Sequence, residues 1–293
     1  MEHIEQAGVH SGDSACSLPP FNLQPQVQEE LRRQTAIMAR ALQVKGLMNV
    51  QFAIQDGIVY VLEVNPRASR TVPFVSKATG LQLAKISVRC MTGRTLRQQG
   101  VTHEVTPSFY SVKEAVFPFI KLPGVDTILG PEMKSTGEVM GIGSTFAEAF
   151  VKSQMASDIR LPRSGKAFIS VRQSDKFHAI EIAHDLVKLG FTLYATRGTA
   201  AALAEAGLDV VPVNKVAEGR PHIVDMIKNG EISLIINTVK NKRSAIRDSY
   251  SIRYAALQGR VTYYTTLSGA RAACVGMANM QELRAYNLQK MHS

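Results

Sequence analysis

The chain has 293 residues, 45% of them hydrophobic, so it can bury a substantial core and most naturally forms two domains. It has no long apolar run and no signal pattern, and its three isolated cysteines lack metal-type spacing, which together predict a cytoplasmic protein with free thiols and no membrane contact. A net charge of +10 fits an anionic partner, but the lack of tryptophan and of any recognition motif disfavours nucleic acid. Phosphorylated small molecules account for the excess charge equally well, and a further alternative is that the charge serves only solubility or contact with an acidic partner subunit.

The chain opens with a loop, because residues 10–20 are small, polar and proline-ended. Residues 26–44 then carry apolar side chains at helical spacing and predict an amphipathic helix. We expect this helix to pack on the apolar side of the hairpin that follows it.

Residues 48–67 predict a β-hairpin around Asp56-Gly57. A two-residue loop would place Val50 opposite Glu63. A turn centred on Gly57 instead pairs Val50 with Val64, and we prefer it because it separates apolar from polar side chains without exception. In that register the apolar pairs are Val50 with Val64, Phe52 with Leu62 and Ile54 with Tyr60, and the polar pairs are Gln51 with Glu63 and Asn49 with Asn65.

The polar face of the predicted hairpin collects oxygen donors from Gln51, Glu63 and Asn65, a set that suits Mg²⁺ shared with nucleotide phosphates. Arg67 offers a planar fork of donors for phosphate, and Pro66 ends the strand just before it. On the pattern alone, a sheet with one solvated face is the favoured alternative.

The remaining pattern divides the chain. A helix is predicted over 81–91, short strands and turns over 101–142, and a helix over 145–154. The apolar pattern breaks over 158–165, and beyond it strands and helices alternate, which predicts a parallel sheet covered on both faces. We therefore expect two domains, 1–158 and 159–293, in an α/β protein.

Ligands of such a sheet bind outside the carboxyl ends of its strands, where this chain carries polar residues such as Ser170, Thr196, Thr199 and Asn237. Thr199 begins a helix after Gly198 and so predicts a phosphate site, with nearby lysines supplying charge. On spacing alone, a plain helix cap is the alternative.

Three segments carry a family resemblance: Asn49–Phe52, Glu63-Val-Asn-Pro-Arg67 and Ser76–Gly80. They resemble the carboxy-terminal half of the ATP-grasp fold, and more narrowly the second such unit in carbamoyl phosphate synthetase large subunits. The likeness begins at His3–Ser14 and runs the whole chain. Its second half resembles the methylglyoxal-synthase-like regulatory domain of that family. The implied fold is a partial ATP-grasp α+β domain followed by a doubly wound parallel-sheet domain.

The resemblance implies a ligase that uses ATP and Mg²⁺ or Mn²⁺, with K⁺ as a further candidate, to phosphorylate carbamate to carbamoyl phosphate in pyrimidine and arginine biosynthesis. Arg67 would act on the transferring phosphoryl group. Metal would be held by Gln51, Glu63 and Asn65, and ATP would be contacted by Gly8, Val9, His10, Ser11, Gln51 and Glu63.

The resemblance also implies two effector sites. A nucleotide, UMP or IMP, would contact Ser170, Lys176, Thr196, Thr199, Lys215 and Asn237. Ornithine would contact Glu5, Asp13, Glu114, Tyr263 and Thr265. Many bacterial members read Asn-Thr-Thr where this chain reads Asn237-Thr238-Val239, which puts one hydroxyl contact in doubt.

An ATP-grasp site also needs an amino-terminal half, so we expect the chain to be inactive alone and to act with the rest of a large subunit, fused or separate, and with a glutaminase small subunit. The first alternative is a non-catalytic nucleotide-binding regulatory module. The second is methylglyoxal synthase activity, disfavoured because the strand exit carries Asn237 and Lys240 rather than a carboxylate base.

Overall fold

The computed structural model describes residues 1–122, 124–238, 243–280 and 283–292, with the backbone alone for residues 243–247 and 288. The strands are β1 (Glu2–His3), β2 (Cys16–Leu18), β3 (Asn49–Gln55), β4 (Ile58–Asn65), β5 (Tyr110–Val116), β6 (Gly137–Gly143), β7 (Gly165–Ser170), β8 (Phe191–Thr196), β9 (Val210–Val213), β10 (Leu234–Asn237) and β11 (Thr262–Tyr264). The α-helices are α1 (Pro25–Ala41), α2 (Val72–Thr79), α3 (Leu83–Met91), α4 (Phe146–Ala156), α5 (Lys176–Lys188), α6 (Arg197–Glu205), α7 (Ile223–Lys228), α8 (Arg243–Gln258) and α9 (Leu267–Ala278). In the part of the chain just defined, no helix is long and apolar enough to cross a membrane.

The parallel sheet predicted for the second half is present, in the strand order β11-β10-β7-β8-β9. Side chains alternate between its two faces, so Ile169 joins one hydrophobic cluster and Phe168 the other. Helices α5, α6 and α9 cover the first face, and α7 and α8 cover the second. The prediction of a doubly wound α/β unit is therefore confirmed.

The first half contains an antiparallel sheet in the order β1-β2-β5-β6. Helix α4 packs closely on β6, because a Cβ at Gly141 would overlap backbone atoms of α4. Helix α4 also contacts α9, where Gly276 lies against Phe150 and Val151. One hydrophobic cluster therefore continues from the first half into the parallel sheet. The segment between α4 and β7 contains the predicted break at 158–165, and the division into domains 1–158 and 159–293 remains a prediction.

The hairpin β3–β4 forms, but its register was only partly predicted. Asn49 pairs with Asn65, Val50 with Val64 and Gln51 with Glu63, as expected. The expected pairs of Phe52 with Leu62 and Ile54 with Tyr60 are wrong, because a bulge at this point shifts the register and pairs Phe52 with Val61 and Ile54 with Val59.

The physical reason is the turn. Asp56 and Gly57 both adopt positive φ, at 52° and 77°, which makes a two-residue turn whose twist matches the two strands. Leu62 is then the extra residue, and the bulge it forms restores the polar pairing farther along. Near the turn, the observed register pairs Tyr60 with Ala53 and Ile58 with Gln55. The two faces of the hairpin therefore do not separate apolar from polar side chains along their whole length.

The prediction that residues 26–44 form a helix packed on the hairpin holds in part. Helix α1 contacts β4, but none of its residues is fully buried. Ile37 remains 50% exposed, and on the hairpin Val61 and Leu62 remain 45% and 51% exposed. This surface is apolar yet largely uncovered.

Candidate functional site

The first candidate site is the polar end of the hairpin. Gln51 and Glu63 are directly opposite each other on the paired strands. Asn65 follows Glu63 by two positions and its Nδ2 donates a hydrogen bond of 3.0 Å to Glu63 Oε1, so both side chains lie on one face. One carboxylate and two carboxamides thus stand together on an exposed surface. These hard oxygen donors fit a divalent cation that is also held by phosphate oxygens.

Arg67 lies just beyond the end of β4. Its backbone N–H donates to Asn65 O at 2.8 Å, and its Nη1 donates to Ala68 O at 2.9 Å. The side chain is exposed and makes no described ion pair with a carboxylate. Across the described residues there is no group of three or more His, Cys, Asp or Glu side chains that could hold a metal by itself. The hairpin set has a single carboxylate, so it fits a metal shared with a ligand rather than a site built from protein alone.

The loop of residues 8–14, predicted to contact ATP, is held by its own hydrogen bonds and by a distant segment. Gly12 N donates to His10 Nδ1 at 3.0 Å, so this ring nitrogen is an acceptor. His10 N donates to Gly130 O at 2.8 Å. Gly8 is exposed with φ of 96°, and Val9 and Ser11 are partly exposed. None of the described hydrogen bonds or ion pairs joins this loop to the polar residues of the hairpin.

The second candidate site is a cavity of about 300 Å³ at the carboxyl ends of the parallel strands. Five of the six residues predicted to bind a nucleotide line it, namely Ser170, Lys176, Thr196, Thr199 and Lys215. The parallel topology brings them together, because adjacent parallel strands end at one edge of the sheet. The site-residue assignments themselves remain predictions.

Hydroxyl groups form the floor of the cavity. Ser170 Oγ lies 3.2 Å from Thr196 Oγ1, and Thr196 Oγ1 donates to Thr199 Oγ1 at 3.4 Å. Lys176 Nζ would be 3.7 Å from a Cβ placed on Gly198, in the first turn of α6. A cation, several hydroxyls and the amino end of a helix therefore surround one space, which is chemistry that suits a phosphate.

Asn237, the sixth predicted residue, is buried beside the cavity rather than lining it. Its Nδ2 donates to Ser170 O at 3.3 Å, while its Oδ1 is buried without a hydrogen-bond partner among the described residues. Such an atom costs free energy unless something else satisfies it. Val239 and Lys240, which entered the sequence argument at this strand end, lie outside the described residues.

Several residues that line the cavity were not predicted from the sequence. Arg172 Nε contacts both carboxylate oxygens of Asp175 at 2.8 Å, and Arg172 N donates to Thr238 Oγ1 at 3.1 Å. Arg172 lies two residues after the end of strand β7, and this strand-end position is the signal that could have found it. The lining residues that were not predicted are Val171, Arg172, Gln173, Asp248, Ser249 and Ile252, whereas Gly198 and Thr238 were both expected at this edge of the sheet.

The residues predicted to hold ornithine fall into different environments. Burial and the nearby Glu114 carboxylate raise the pKa of Glu5 to about 8, although backbone hydrogen bonds including that from Ala15 oppose the shift. Burial likewise raises the pKa of Glu114 to about 7. Asp13 is also buried, but it accepts hydrogen bonds from the backbone N–H groups of Lys134 and Ser135 at 2.8 and 2.9 Å. The Glu5 and Glu114 carboxyl groups therefore lie near enough to interact electrostatically, whereas Asp13 has structural hydrogen-bond partners.

Tyr263 lies in strand β11, and Thr265 directly follows that strand. Burial raises the pKa of the Tyr263 phenol, and interactions with Thr127 and Arg253 oppose the shift. Thr265 lines a separate cavity of about 180 Å³ together with Gln6, Arg172, Asp175, Thr238, Thr266, Leu267 and Ser268. Tyr264, which was not predicted, donates to Gln154 Oε1 at 3.1 Å, and Gln154 in turn donates to Glu114.

Two family models match the sequence. The model described as "Carbamoyl-phosphate synthase L chain, ATP binding domain" matches residues 1–99, and that described as "MGS-like domain" matches residues 178–265. Among curated proteins, the whole chain is similar to carbamoyl phosphate synthase large chains from Ralstonia nicotianae, at 64% identity, from Pasteurella multocida, at 61%, and from Neisseria meningitidis serogroup A, at 59%.

The chain spans 28% of the Ralstonia protein and 27% of the other two. Among solved structures, it is similar to the biotin carboxylase domain of a single-chain bacterial carboxylase, with 18% identity and a TM-score of 0.38. That similarity covers 48% of this chain and 39% of the other, and it is too low to bear on function.

Proposed function

The chain belongs to the carbamoyl phosphate synthase large-chain family, whose carboxy-terminal part it matches, and from this premise we propose that it carries half of a site that phosphorylates carbamate. ATP would be the phosphoryl donor, and the products would be carbamoyl phosphate and ADP. The observation that carries the proposal is the shared face of Gln51, Glu63 and Asn65 at the end of the hairpin.

In this proposal the side chains position charge rather than form covalent bonds. Gln51, Glu63 and Asn65 would hold Mg²⁺ or Mn²⁺, which when bound neutralises charge on the phosphate oxygens. Arg67 would bind the transferring phosphoryl group through its planar fork. Loop 8–14 would contact the nucleotide through Gly8, Val9, His10 and Ser11. K⁺ is a further candidate cofactor.

The large uncovered apolar surface on α1 and the hairpin supports the need for more protein. Ile37, Val61 and Leu62 are each close to half exposed. The chain spans 28% of its Ralstonia relative, and we propose that the remaining large-subunit sequence covers this surface and completes the ATP site. A glutaminase small subunit and the cytoplasm are the corresponding proposals for partner and compartment.

The catalytic proposal is tested by combining the chain with the amino-terminal remainder of a large chain and measuring ATP-dependent carbamoyl phosphate formation. Glu63→Gln should reduce the rate by about 100-fold or more, as expected when a group that stabilises transition-state charge is lost. Asp56→Asn is the matched control, because it removes a carboxylate at the turn of the same hairpin and should leave the rate within about 2-fold. Equal rates for the two variants would contradict the proposal.

We further propose that the 300 Å³ cavity binds a regulatory nucleoside monophosphate, for which UMP and IMP are the candidates. Lys176 and Lys215 would pair with its phosphate, and Ser170, Thr196, Thr199 and Asn237 would supply hydrogen bonds. Isothermal titration calorimetry with each nucleotide tests this, and flat titrations with both would refute it. Ornithine, proposed at Glu5, Asp13, Glu114, Tyr263 and Thr265, is tested in the same way.

The alternative function is a nucleotide-binding regulatory module without catalysis. It is favoured by the cavity, whose predicted lining residues come together without any further chain. It would be established if the assembled complex bound UMP or IMP normally but Glu63→Gln had no effect on carbamoyl phosphate formation.

A further inference from the structure

One segment of the first half contacts both helix α8, which lines the cavity, and the loop of residues 8–14. Residues 124–135, named the strap here, lie between β5 and β6 and contact helix α8 at one end and loop 8–14 at the other. We propose that the strap couples occupancy of the cavity to the position of loop 8–14, with the ion pair of Arg253 and Asp126 as its joint. This inference rests on the proposed function, which assigns an effector to the cavity and ATP to the loop.

The joint is an ion pair between a buried guanidinium and a carboxylate that is 33% exposed. The Arg253 residue is 1% exposed, and its Nε and Nη2 donate to Asp126 Oδ1 at 3.0 and 2.8 Å, while Nη2 also contacts Oδ2 at 2.7 Å. Two parallel contacts fix the relative orientation of the groups as well as their distance. A second contact lies beside it, because Tyr250 Oη donates to Gly124 O at 3.3 Å. Helix α8 is therefore fastened to the strap by side chains on successive turns.

Helix α8 also forms a wall of the cavity. Asp248, Ser249 and Ile252 line it, and Arg253 directly follows Ile252 in the same helix. If the helix tilts as a rigid element, a displacement that a ligand imposes at Ser249 or Ile252 would be transmitted to the guanidinium of Arg253. The ion pair would pass this displacement on to Asp126.

The strap has internal cross-links that would carry the displacement onward. Lys134 Nζ donates to Asp126 O at 2.9 Å and to Ile128 O at 2.6 Å, so the two ends of the strap are held together. Asp126 therefore contacts Arg253 through its side chain and Lys134 through its carbonyl group.

The far end of the strap is bound to loop 8–14. The Asp13 carboxylate accepts the backbone N–H groups of Lys134 and Ser135 at 2.8 and 2.9 Å, and His10 N donates to Gly130 O at 2.8 Å. An unbroken series of hydrogen bonds thus leads from α8 to the loop. This series also gives the buried Asp13 a role that its position in the sequence did not indicate.

The three amides of His10, Lys134 and Ser135 report directly on this attachment, so hydrogen–deuterium exchange of the chain is the test. In the wild type, saturating UMP or IMP should change their exchange rates by roughly 5-fold or more, at the lower end of typical coupling between sites. In Asp126→Asn, the nucleotide should bind with a dissociation constant within about 3-fold of wild type, but the change at these amides should be lost.

Glu231→Gln is the matched control. It breaks another ion pair of the parallel sheet, to Lys166 at 2.9 Å, at the opposite edge from the cavity, and it should keep the full response. If Asp126→Asn does not fold, Tyr250→Phe replaces it, because that change removes only the hydroxyl that contacts Gly124 and should halve the response or more. The proposal would be overturned if Asp126→Asn, or Tyr250→Phe in its place, bound the nucleotide and kept the wild-type response.

Failure of the effector assignment gives a different result. If neither nucleotide binds the wild type, the proposed function of the cavity is refuted. The role of the Arg253–Asp126 ion pair is then tested by hydrogen–deuterium exchange of the ligand-free variants. Asp126→Asn should then raise the exchange rates at His10, Lys134 and Ser135 above those of Glu231→Gln, because loop 8–14 has lost its anchored strap. Equal rates in the two variants would overturn the coupling proposal.

Discussion

Glu5, which follows β1, and Glu114 in β5 lie close enough that the charge of Glu114 adds to burial in raising the pKa of Glu5 to about 8. Burial raises the pKa of Glu114 itself to about 7, while Ala115 N, Lys113 and Gln154 oppose the shift. Both carboxyl groups therefore hold protons in the folded chain at pH values where they would be ionised in the unfolded chain. Carboxyl groups usually shift the other way in folded proteins.

Stability should therefore fall as the pH rises. A carboxyl whose pKa is raised in the folded state favours folding below its unfolded pKa, and this contribution is lost as the pH rises through the folded pKa. For Glu5 the loss should occur between about pH 4.5 and about pH 8. Glu5→Gln should remove the part of this pH dependence that is due to Glu5, because the amide oxygen can still accept from Ala15 N and carries no charge. The part due to Glu114 should remain.

Thermal unfolding at about pH 5 and about pH 8 measures the effect. The wild-type Tm should decrease more than that of Glu5→Gln between the two conditions. Glu205→Gln, a change at an exposed carboxylate, is the control and should follow the wild type. Parallel curves for wild type and Glu5→Gln would show that Glu5 is not protonated in the folded chain.

Replacing Gly141 by alanine should destabilise the packing of α4 on β6. The added Cβ would overlap Ala149 O and Ser153 N, which belong to the helix backbone and cannot move aside cheaply. The expected loss is about 1–3 kcal/mol of unfolding free energy, as for overpacked interiors. Gly137→Ala is the matched control, because it lies on the same strand with nothing within 4 Å of the new Cβ. Urea denaturation measures both, and similar midpoints for the two variants would contradict the close contact.

Lys176→Gln should weaken nucleotide binding in the cavity. Loss of a charge-assisted contact to phosphate costs about 1.5–3 kcal/mol, which predicts roughly a tenfold or larger increase in the dissociation constant. Lys188→Gln tests the other end of the same helix, where the side chain is 77% exposed and far along α5 from the cavity. Calorimetry should detect weaker binding in the first variant alone, and equal weakening in both would indicate a general charge effect.

The three cysteines should differ in reactivity. Burial raises the pKa of Cys16 to about 12, and burial together with the charge of Asp185 does the same for Cys274. The thiolate is the reactive form, so both should resist alkylation in the folded chain. Cys90 is only partly buried and should react first with iodoacetamide at about pH 8. Peptide mass spectrometry checks the order, and early labelling of Cys16 would show that the first sheet opens readily.

The sequence by itself determined the elements whose cause is local. Continuous apolar runs predicted the buried parallel strands, and their alternation with helices determined a doubly wound sheet, because a strand buried on both faces cannot be amphipathic. The topology of such a sheet places strand-end residues together. The sequence could therefore predict that Ser170, Thr196 and Thr199 lie around one space.

The tertiary structure alone decided the relationships that depend on distant atoms. The hairpin register changes at Leu62, because a two-residue turn and a bulge together satisfy both strand twist and polar pairing. Asp13 binds backbone N–H groups of residues 134 and 135, and Arg253 binds Asp126, although neither pair leaves a local pattern. Backbone N–H donors have no signature in the sequence. The partner of a buried charge depends on which distant residues the fold brings near it. Contacts between residues more than a hundred positions apart can therefore be identified only in the folded structure.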